Sequence, residues 1–398
     1  MRNCWFGDIP RQVWLLGLVS FFADLSSELV YPIIPLFLTV TLGAPVAAVG
    51  ITEGVAEATA NLTRLFSGRW SDRLRARKPF VVAGYGLAAA GKAILCVAPV
   101  WGFALAGRAI DRFGKGIRSA PRDALLSDYA TPENRGRVFG FHRSMDSAGA
   151  VGGPLIGLAF LALAGDHLRV AIALALIPGV LSVFALRTVE ERPAPAPAPG
   201  AKTPGPGSLP RAYWLALAAT GLFMAGNSSD AFLLLRAKDL GLGATLVVLG
   251  YVLYNTIYTL GAYPAGALSD RIPRPLLLCA GYAVFALVYF GFATAGDRWL
   301  VWPLMAAYGV YIAATDGVTK ALITDLSPAA VRSSALGLFQ GVTGLTALFA
   351  SVTAGILWDQ VAPSAPFYLG AACAIAAALF LGALTASGAL SLPKTAPA

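Results

Sequence analysis

Along most of its length this chain alternates between apolar segments of about twenty residues and short polar breaks. That period predicts membrane-spanning helices. Twelve segments fit, near 12–40, 46–66, 79–97, 100–126, 138–163, 168–187, 212–236, 244–268, 276–295, 299–323, 333–357 and 366–387. One of them breaks the apolar rule. From Gly107 it reads Gly-Arg-Ala-Ile-Asp-Arg-Phe-Gly-Lys-Gly-Ile-Arg-Ser-Ala-Pro-Arg-Asp, and at helical spacing Arg108, Asp111, Lys115, Arg118 and Arg122 share one stripe. A charge at the centre of a spanning helix costs roughly 2.5–3.5 kcal/mol on insertion scales. The stripe must therefore face a water-filled or ligand-filled interior, which predicts a polar pathway through a membrane.

Composition agrees. Of 398 residues 57% are hydrophobic and 13% charged, and mean hydropathy is +0.68, whereas a soluble domain is about 25% charged. The predicted fold class is an all-α polytopic membrane protein. The net charge of +9 does not call for a nucleic-acid partner, because basic residues gather in alternate loops: Arg69, Arg73, Arg75, Arg77 and Lys78, then Arg135 and Arg137, then Arg271 and Arg274, then Arg332. Loops 42–49 and 98–102 carry almost none. This bias predicts that both termini lie in the cytoplasm, in a bacterial inner membrane. The first apolar segment lacks a small-residue cleavage site and reads as a retained helix.

Catalytic chemistry finds little support. Cys4, Cys96, Cys279 and Cys373 are scattered, and His142 and His167 are the only histidines, so neither a disulfide framework nor a histidine metal cluster is expected. Residues 86–92 resemble the start of a P-loop, but Ala93 stands where Ser or Thr is required and the run lies inside a span. No cofactor is expected, and the driving force is expected to be a proton gradient.

The chain repeats itself. Gly-Arg-Trp-Ser-Asp-Arg-Leu from Gly68 matches Gly-Ala-Leu-Ser-Asp-Arg-Ile from Gly266, Ala-Leu-Leu-Ser-Asp from Ala124 matches Ala-Leu-Ile-Thr-Asp from Ala321, and Ala-Asp-Leu-Ser-Ser-Glu from Ala23 matches Ala-Gly-Asn-Ser-Ser-Asp from Ala225. A Pro/Ala/Gly-rich tract at 189–210 reads as a cytoplasmic linker between bundles at 1–188 and 211–398. Parallel repeats of this kind occur in secondary transporters, with the substrate site at the repeat interface near the midplane.

These motifs resemble the major facilitator superfamily. Its loop between the second and third helices has a glycine, an Asp-Arg pair and basic residues, matched by Gly68, Asp72, Arg73, Arg75, Arg77 and Lys78 and more weakly by Gly266, Asp270, Arg271 and Arg274. Its fourth-helix Arg followed by glycines corresponds to Arg108, Gly114 and Gly116, and the Gly/Pro-rich fifth helix of its exporters is similar to 149–157. The resemblance implies twelve transmembrane helices in two pseudo-symmetric six-helix bundles with alternating access. Asp111, Arg112, Lys115, Arg118 and Arg122 depart from the small, apolar fourth helix of drug exporters, which argues against a greasy drug pocket.

Asp24 and Glu28 lie one turn apart in the first span. A carboxylate held away from water can exchange a proton near neutral pH; alternatively both pair permanently with Lys115 or Arg112. Asp111, Asp230 and Asp316 are further proton-coupling candidates. Lys115 and Arg118, with Arg112, Lys320 and Asn227, are candidates for binding an anionic substrate, although Asp111 is one turn from Lys115 and could neutralise it. Asp316 and Lys320 form a one-turn pair in the tenth span, as Asp230 and Asn227 do in the seventh. Arg122 and Asp123 are expected to close an inner gate, and His142, Arg143 and Asp146 to serve as gate or ion-pair residues. Asp72 and Asp270 are expected to meet arginines or helix N-termini of the opposite half, unless they and Arg73 and Arg271 only set topology.

The reading is a monomeric, proton-coupled transporter that exports a small, charged, anionic organic solute. The alternatives are a symporter importing an organic anion or metal chelate, a multidrug exporter, and a transporter-like receptor without ion coupling.

Overall fold

A computed structural model describes residues 9–31, 33–34, 37–164, 167–191 and 209–390. Among these it is helical throughout, with no strand. The first half comprises α1 (Arg11–Val30), α2 (Val46–Leu74), α3 (Lys78–Val97), α4 (Trp101–Asp128), α5 (Arg135–Ala164) and α6 (Leu168–Leu186). The second comprises α7 (Arg211–Met224), α8 (Ala231–Asp239), α9 (Ala244–Ser269), α10 (Arg274–Thr294), α11 (Val301–Asp325), α12 (Arg332–Gln360) and α13 (Ala365–Ala386). Much of the linker, at 192–208, and Pro32, Pro35 and Cys4 lie outside the described residues.

Seven helices, α1, α3, α6, α9, α10, α12 and α13, are long and apolar enough to cross a bilayer by length and composition. Of the other expected spans, α2, α4 and α11, of 29, 28 and 25 residues, have ample length but are more polar, and α5, of 30 residues, carries its charges between Arg135 and Asp146 ahead of an uncharged run. The expected span at 212–236 is divided: the helix stops at Met224 and resumes at Ala231. The intervening Gly226-Asn-Ser-Ser is poor in helix formers, and a Cβ at Gly226 would lie 2.5 Å from Cys373 Cβ of α13. Likewise α1 ends at Val30, well short of the expected 40, and a short π-helical turn covers Phe37–Thr41.

Within each half the helices pack in matching pairs. In the first, α3 lies on α4, α2 on α4 and α1 on α5; in the second, α10 lies on α11 and α9 on α11. Across the halves α5 packs on α9 and α2 on α12, two crossings related by the repeat. Small residues permit both. A Cβ on Gly68 would sit 2.6 Å from the Ser333 carbonyl carbon, and one on Gly140 would sit 3.1 Å from the Gly266 Cα. Small residues at crossings are how helices approach closely where lipid supplies no hydrophobic drive.

Candidate functional site

Helix α4 is amphipathic in the inverted sense. Phe103 and Phe113 are exposed, while Arg108, Asp111, Arg112, Arg118, Arg122 and Asp123 are buried. Packed against α2, α3 and the second half, this helix walls one side of a cavity of about 440 Å³ between the halves. The first half contributes Asp24, Arg64, Lys115, Arg118, Arg122, Arg143 and Asp146; the second contributes Phe223, Asn227, Asp230, Tyr282, Tyr308, Tyr311, Asp316, Lys320 and Gln340. Six cationic side chains therefore meet four carboxylates, and the lining is net positive. The volume suits a small organic molecule.

The two walls differ in chemistry. On the second-half side Phe223 stacks on Tyr282 with centroids 4.1 Å apart, and Tyr308 and Tyr311 extend the aromatic surface. Asn227 at the helix break donates to the Tyr311 hydroxyl at 3.2 Å. Asp230, expected to pair with Asn227, instead accepts hydroxyl hydrogen bonds from Tyr254 at 2.7 Å and Tyr308 at 2.6 Å.

The first-half wall holds uncommitted charge. Among the described residues, the side chains of Asp24 and Lys115 make neither a hydrogen bond nor an ion pair. The Arg118 guanidinium lies over the Tyr85 ring, 4.2 Å from its centroid, and its Nε and Nη1 are buried without a hydrogen-bond partner. Fixed pairing of Asp24 with Lys115 or Arg112, one of the two readings of the sequence, is absent from this arrangement.

The floor is tied across the halves. Arg143 reaches Asp146 at 2.8 Å and Asp316 at 3.4 Å, and Tyr258 donates to Asp316 at 2.5 Å. Lys320 lies 3.1 Å from Asp123 but 3.9 Å from Asp316. The one-turn pair expected within α11 is thus present at 3.9 Å, and each member also takes a nearer partner from the first half. Arg122 donates to Asp123 at 3.0 Å and lies 3.8 Å from Asp146.

Several expected site residues lie elsewhere. Asp111 turns away from Lys115 to pair with Lys92 at 2.9 Å and Arg108 at 3.2 Å, and Arg108 in turn forks onto Glu53 at 2.8 and 3.0 Å. This network lies within the first half, outside the cavity lining, so Asp111 neither neutralises Lys115 nor faces the cavity. Arg112 is buried outside the lining as well. Glu28 is off the lining and accepts from the Tyr251 hydroxyl of α9 at 3.3 Å. His142 shares a hydrogen bond with Ser20 at 2.8 Å and, among the described residues, makes no ion pair. Lys92 and Glu53 were missed by sequence reasoning; the lysine deep inside the apolar run of α3 was the available signal, since an intramembrane charge requires a partner.

Beyond the floor, at the face that carries the basic loops, the repeat forms two matching connections. Asp72 accepts from the Ser334 backbone N–H at 2.6 Å, at the start of α12. Asp270 accepts from the backbone N–H of Gly136 at 2.7 Å and of Arg137 at 2.9 Å, at the start of α5. Each carboxylate meets the free N–H groups and positive end of an opposite-half helix. Arg77 pairs with Asp128, which Arg332 approaches at 3.8 Å; Arg274 pairs with Asp325, which Arg135 meets at 2.6 Å. Arg73 and Arg271, expected in this lock, are exposed and, among the described residues, have no ion pair. The buried Arg77 and half-buried Arg274 occupy that place instead, because the chain reverses after Asp72 and Asp270 and only the later basic residue of each loop points inward.

A polytopic helical chain whose two repeated halves enclose a charged central cavity has the build of a secondary transporter. The sequence profile described as Major Facilitator Superfamily matches residues 16–250 and again 214–396, and the chain belongs to that family. It is 35% identical over 380 residues to an uncharacterized MFS-type transporter of Methanocaldococcus jannaschii, covering 94% of this chain and 95% of the other. It is 26% identical over 354 residues to the multidrug resistance protein MdtH of Aeromonas hydrophila, covering 87% of each. Among solved structures, the MFS transporter FucP in its outward conformation superposes with a TM-score of 0.79 at 13% identity, covering 94% of this chain and 99% of that one. This protein is a multi-pass MFS transporter.

Proposed function

We propose that this transporter exports a small organic anion carrying an aromatic or apolar portion, in exchange for protons. The observation that carries this reading is the pairing of uncommitted donors on Lys115 and Arg118 with a facing aromatic wall of Phe223, Tyr282 and Tyr311. A guanidinium and an ammonium, without hydrogen-bond or ion-pair partners among the described residues in a site of low dielectric, favour a carboxylate, phosphate or sulfonate. The aromatic wall favours a flat or apolar body. Asp24, beside them and free of any ion pair, is the proposed proton carrier. The name of the Aeromonas relative favours export. In this reading the basic face and both termini are cytoplasmic, in a bacterial inner membrane, and the working unit is a monomer without a cofactor.

Proteoliposomes test the proposal. An imposed pH gradient should drive flux of an aromatic carboxylate such as benzoate, and collapse of the gradient with a protonophore should stop it. Gradient-independent flux removes the proton coupling. A second reading, an exporter of lipophilic cations, rests on Asp230, which lines the cavity and, among the described residues, is held only by tyrosine hydroxyls. Flux of tetraphenylphosphonium without flux of benzoate would favour it.

A further inference from the structure

Asp123 occupies an unusual position. It is fully buried and does not itself line the cavity, yet side chains that do line it converge on its carboxylate from above. Arg122 donates to Oδ1 through Nε at 3.1 Å and Nη2 at 3.0 Å. Gln340 donates to Oδ2 at 2.8 Å, Lys320 approaches the same oxygen at 3.1 Å, and Arg143 stands 3.9 Å from it. Two of these groups, Lys320 and Gln340, belong to the second half. The carboxylate thus ties α4 to α11 and α12 beneath the place where a solute would sit.

A buried charge of this kind is stable only while its partners remain. Lys320, Arg122 and Arg143 can turn their charge toward Asp123 or toward a negative group in the cavity, and a single ammonium cannot serve both fully. We infer that Asp123 is an internal counter-anion that competes with the substrate for the floor cations. Arrival of an anion draws Lys320 off Asp123, and with it the Arg143 link to Asp316. These are two of the ties that hold the halves together above the basic face, beside the Gln340 hydrogen bond to Asp123. Such competition supplies the differential affinity that a ligand needs to shift a conformational equilibrium. In an exchange cycle, which runs either way across the membrane, it also makes an anionic solute that enters from the opposite face the trigger for opening the basic face. The inference rests on the reading of the cavity as an anion site.

The test measures two quantities in the full-length protein: the distance between spin labels on the basic-face ends of α2 and α12, and the affinity for benzoate. In the wild type, benzoate should lengthen the distance. Asp123→Asn should lengthen it without ligand, bind benzoate about tenfold more tightly because nothing need be displaced, and show no further lengthening on binding. Should Asp123→Asn fold poorly, Gln340→Leu removes one second-half donor to the same carboxylate and should shift the ligand-free distance in the same direction by a smaller amount. An unchanged ligand-free distance in the variants overturns the inference whatever the ligand, and so does weaker benzoate binding by Asp123→Asn. Failure of the wild type to bind benzoate, together with a lengthened Asp123→Asn distance, would instead overturn the anion reading and leave the tie intact.

Discussion

The carboxylate of Asp72 reaches across the molecule to the backbone N–H of Ser334, 2.6 Å away and 262 positions later in the chain. Asp270 does the same for Gly136. Both are charge-to-helix-end contacts, a kind worth about 0.3–2 kcal/mol, and Asp270 adds the Arg137 N–H and the Arg274 guanidinium to its set. States of a transporter differ by only a few kcal/mol, so losing one contact changes their populations.

Asp72→Ala should therefore shift the resting population toward separation of α2 and α12 at the basic face. Distances between spin labels on these two helices report it directly. A distribution matching the wild type would reduce Asp72 to a topology residue.

Much of this arrangement was legible in the sequence, and the part that was not has a common cause. The inward stripe of α4, the repeat, and the meeting of Asp72 and Asp270 with opposite-half helix ends all follow from local spacing and a duplicated motif. Pairing partners do not. Asp111 lies one turn from Lys115, but the choice of Lys92 depends on how α3 lies against α4. Likewise Lys320 selects Asp123 over its own neighbour Asp316 because the halves interlock at that depth. Arg73 and Arg77 are indistinguishable by composition, and only the reversal of the chain after α2 buries one and exposes the other. The break of the seventh span was foreshadowed by Gly226-Asn-Ser-Ser, a weak helical run flanked by strong apolar segments.

The Lys92–Asp111 pair gives a stability prediction. Asp111→Leu should destabilise the protein by roughly 3–5 kcal/mol, the usual result of leaving one buried partner unpaired. Lys92→Met combined with Asp111→Leu should recover part of that loss, in spite of Arg108 retaining only Glu53. Thermal unfolding in detergent provides the comparison. Equal stability of the single and double variants would place the burden on Arg108 instead.

Packing of α3 on α4 supplies another. A Cβ on Gly91 would lie 2.5 Å from the Gly107 carbonyl oxygen and 2.6 Å from the Asp111 nitrogen, and the two helix backbones cannot both stay in place. Gly91→Leu should lower stability by about 1–3 kcal/mol or more and disturb the Lys92–Asp111 pair one residue away. Gly86→Ala is the matched control, since no atom lies within 4 Å of its added carbon; it should melt like the wild type.

Proton coupling makes a separate demand. If Asp24 carries the proton, Asp24→Asn should abolish flux driven by a pH gradient while retaining exchange of labelled for unlabelled solute across the membrane. Glu28→Gln, off the cavity lining, should have the smaller effect. Gradient-driven flux at the wild-type rate in Asp24→Asn removes this residue from the coupling scheme.

The claim that the cavity receives an anion is tested most directly by equilibrium binding of a matched pair, benzoate and benzylammonium, to the wild type and to Lys115→Met. The account predicts that the wild type prefers benzoate, and that Lys115→Met loses at least tenfold in benzoate affinity, about 1.4 kcal/mol, with benzylammonium binding unchanged or improved. A wild type that prefers benzylammonium, or a Lys115→Met variant that binds benzoate as before, would contradict it.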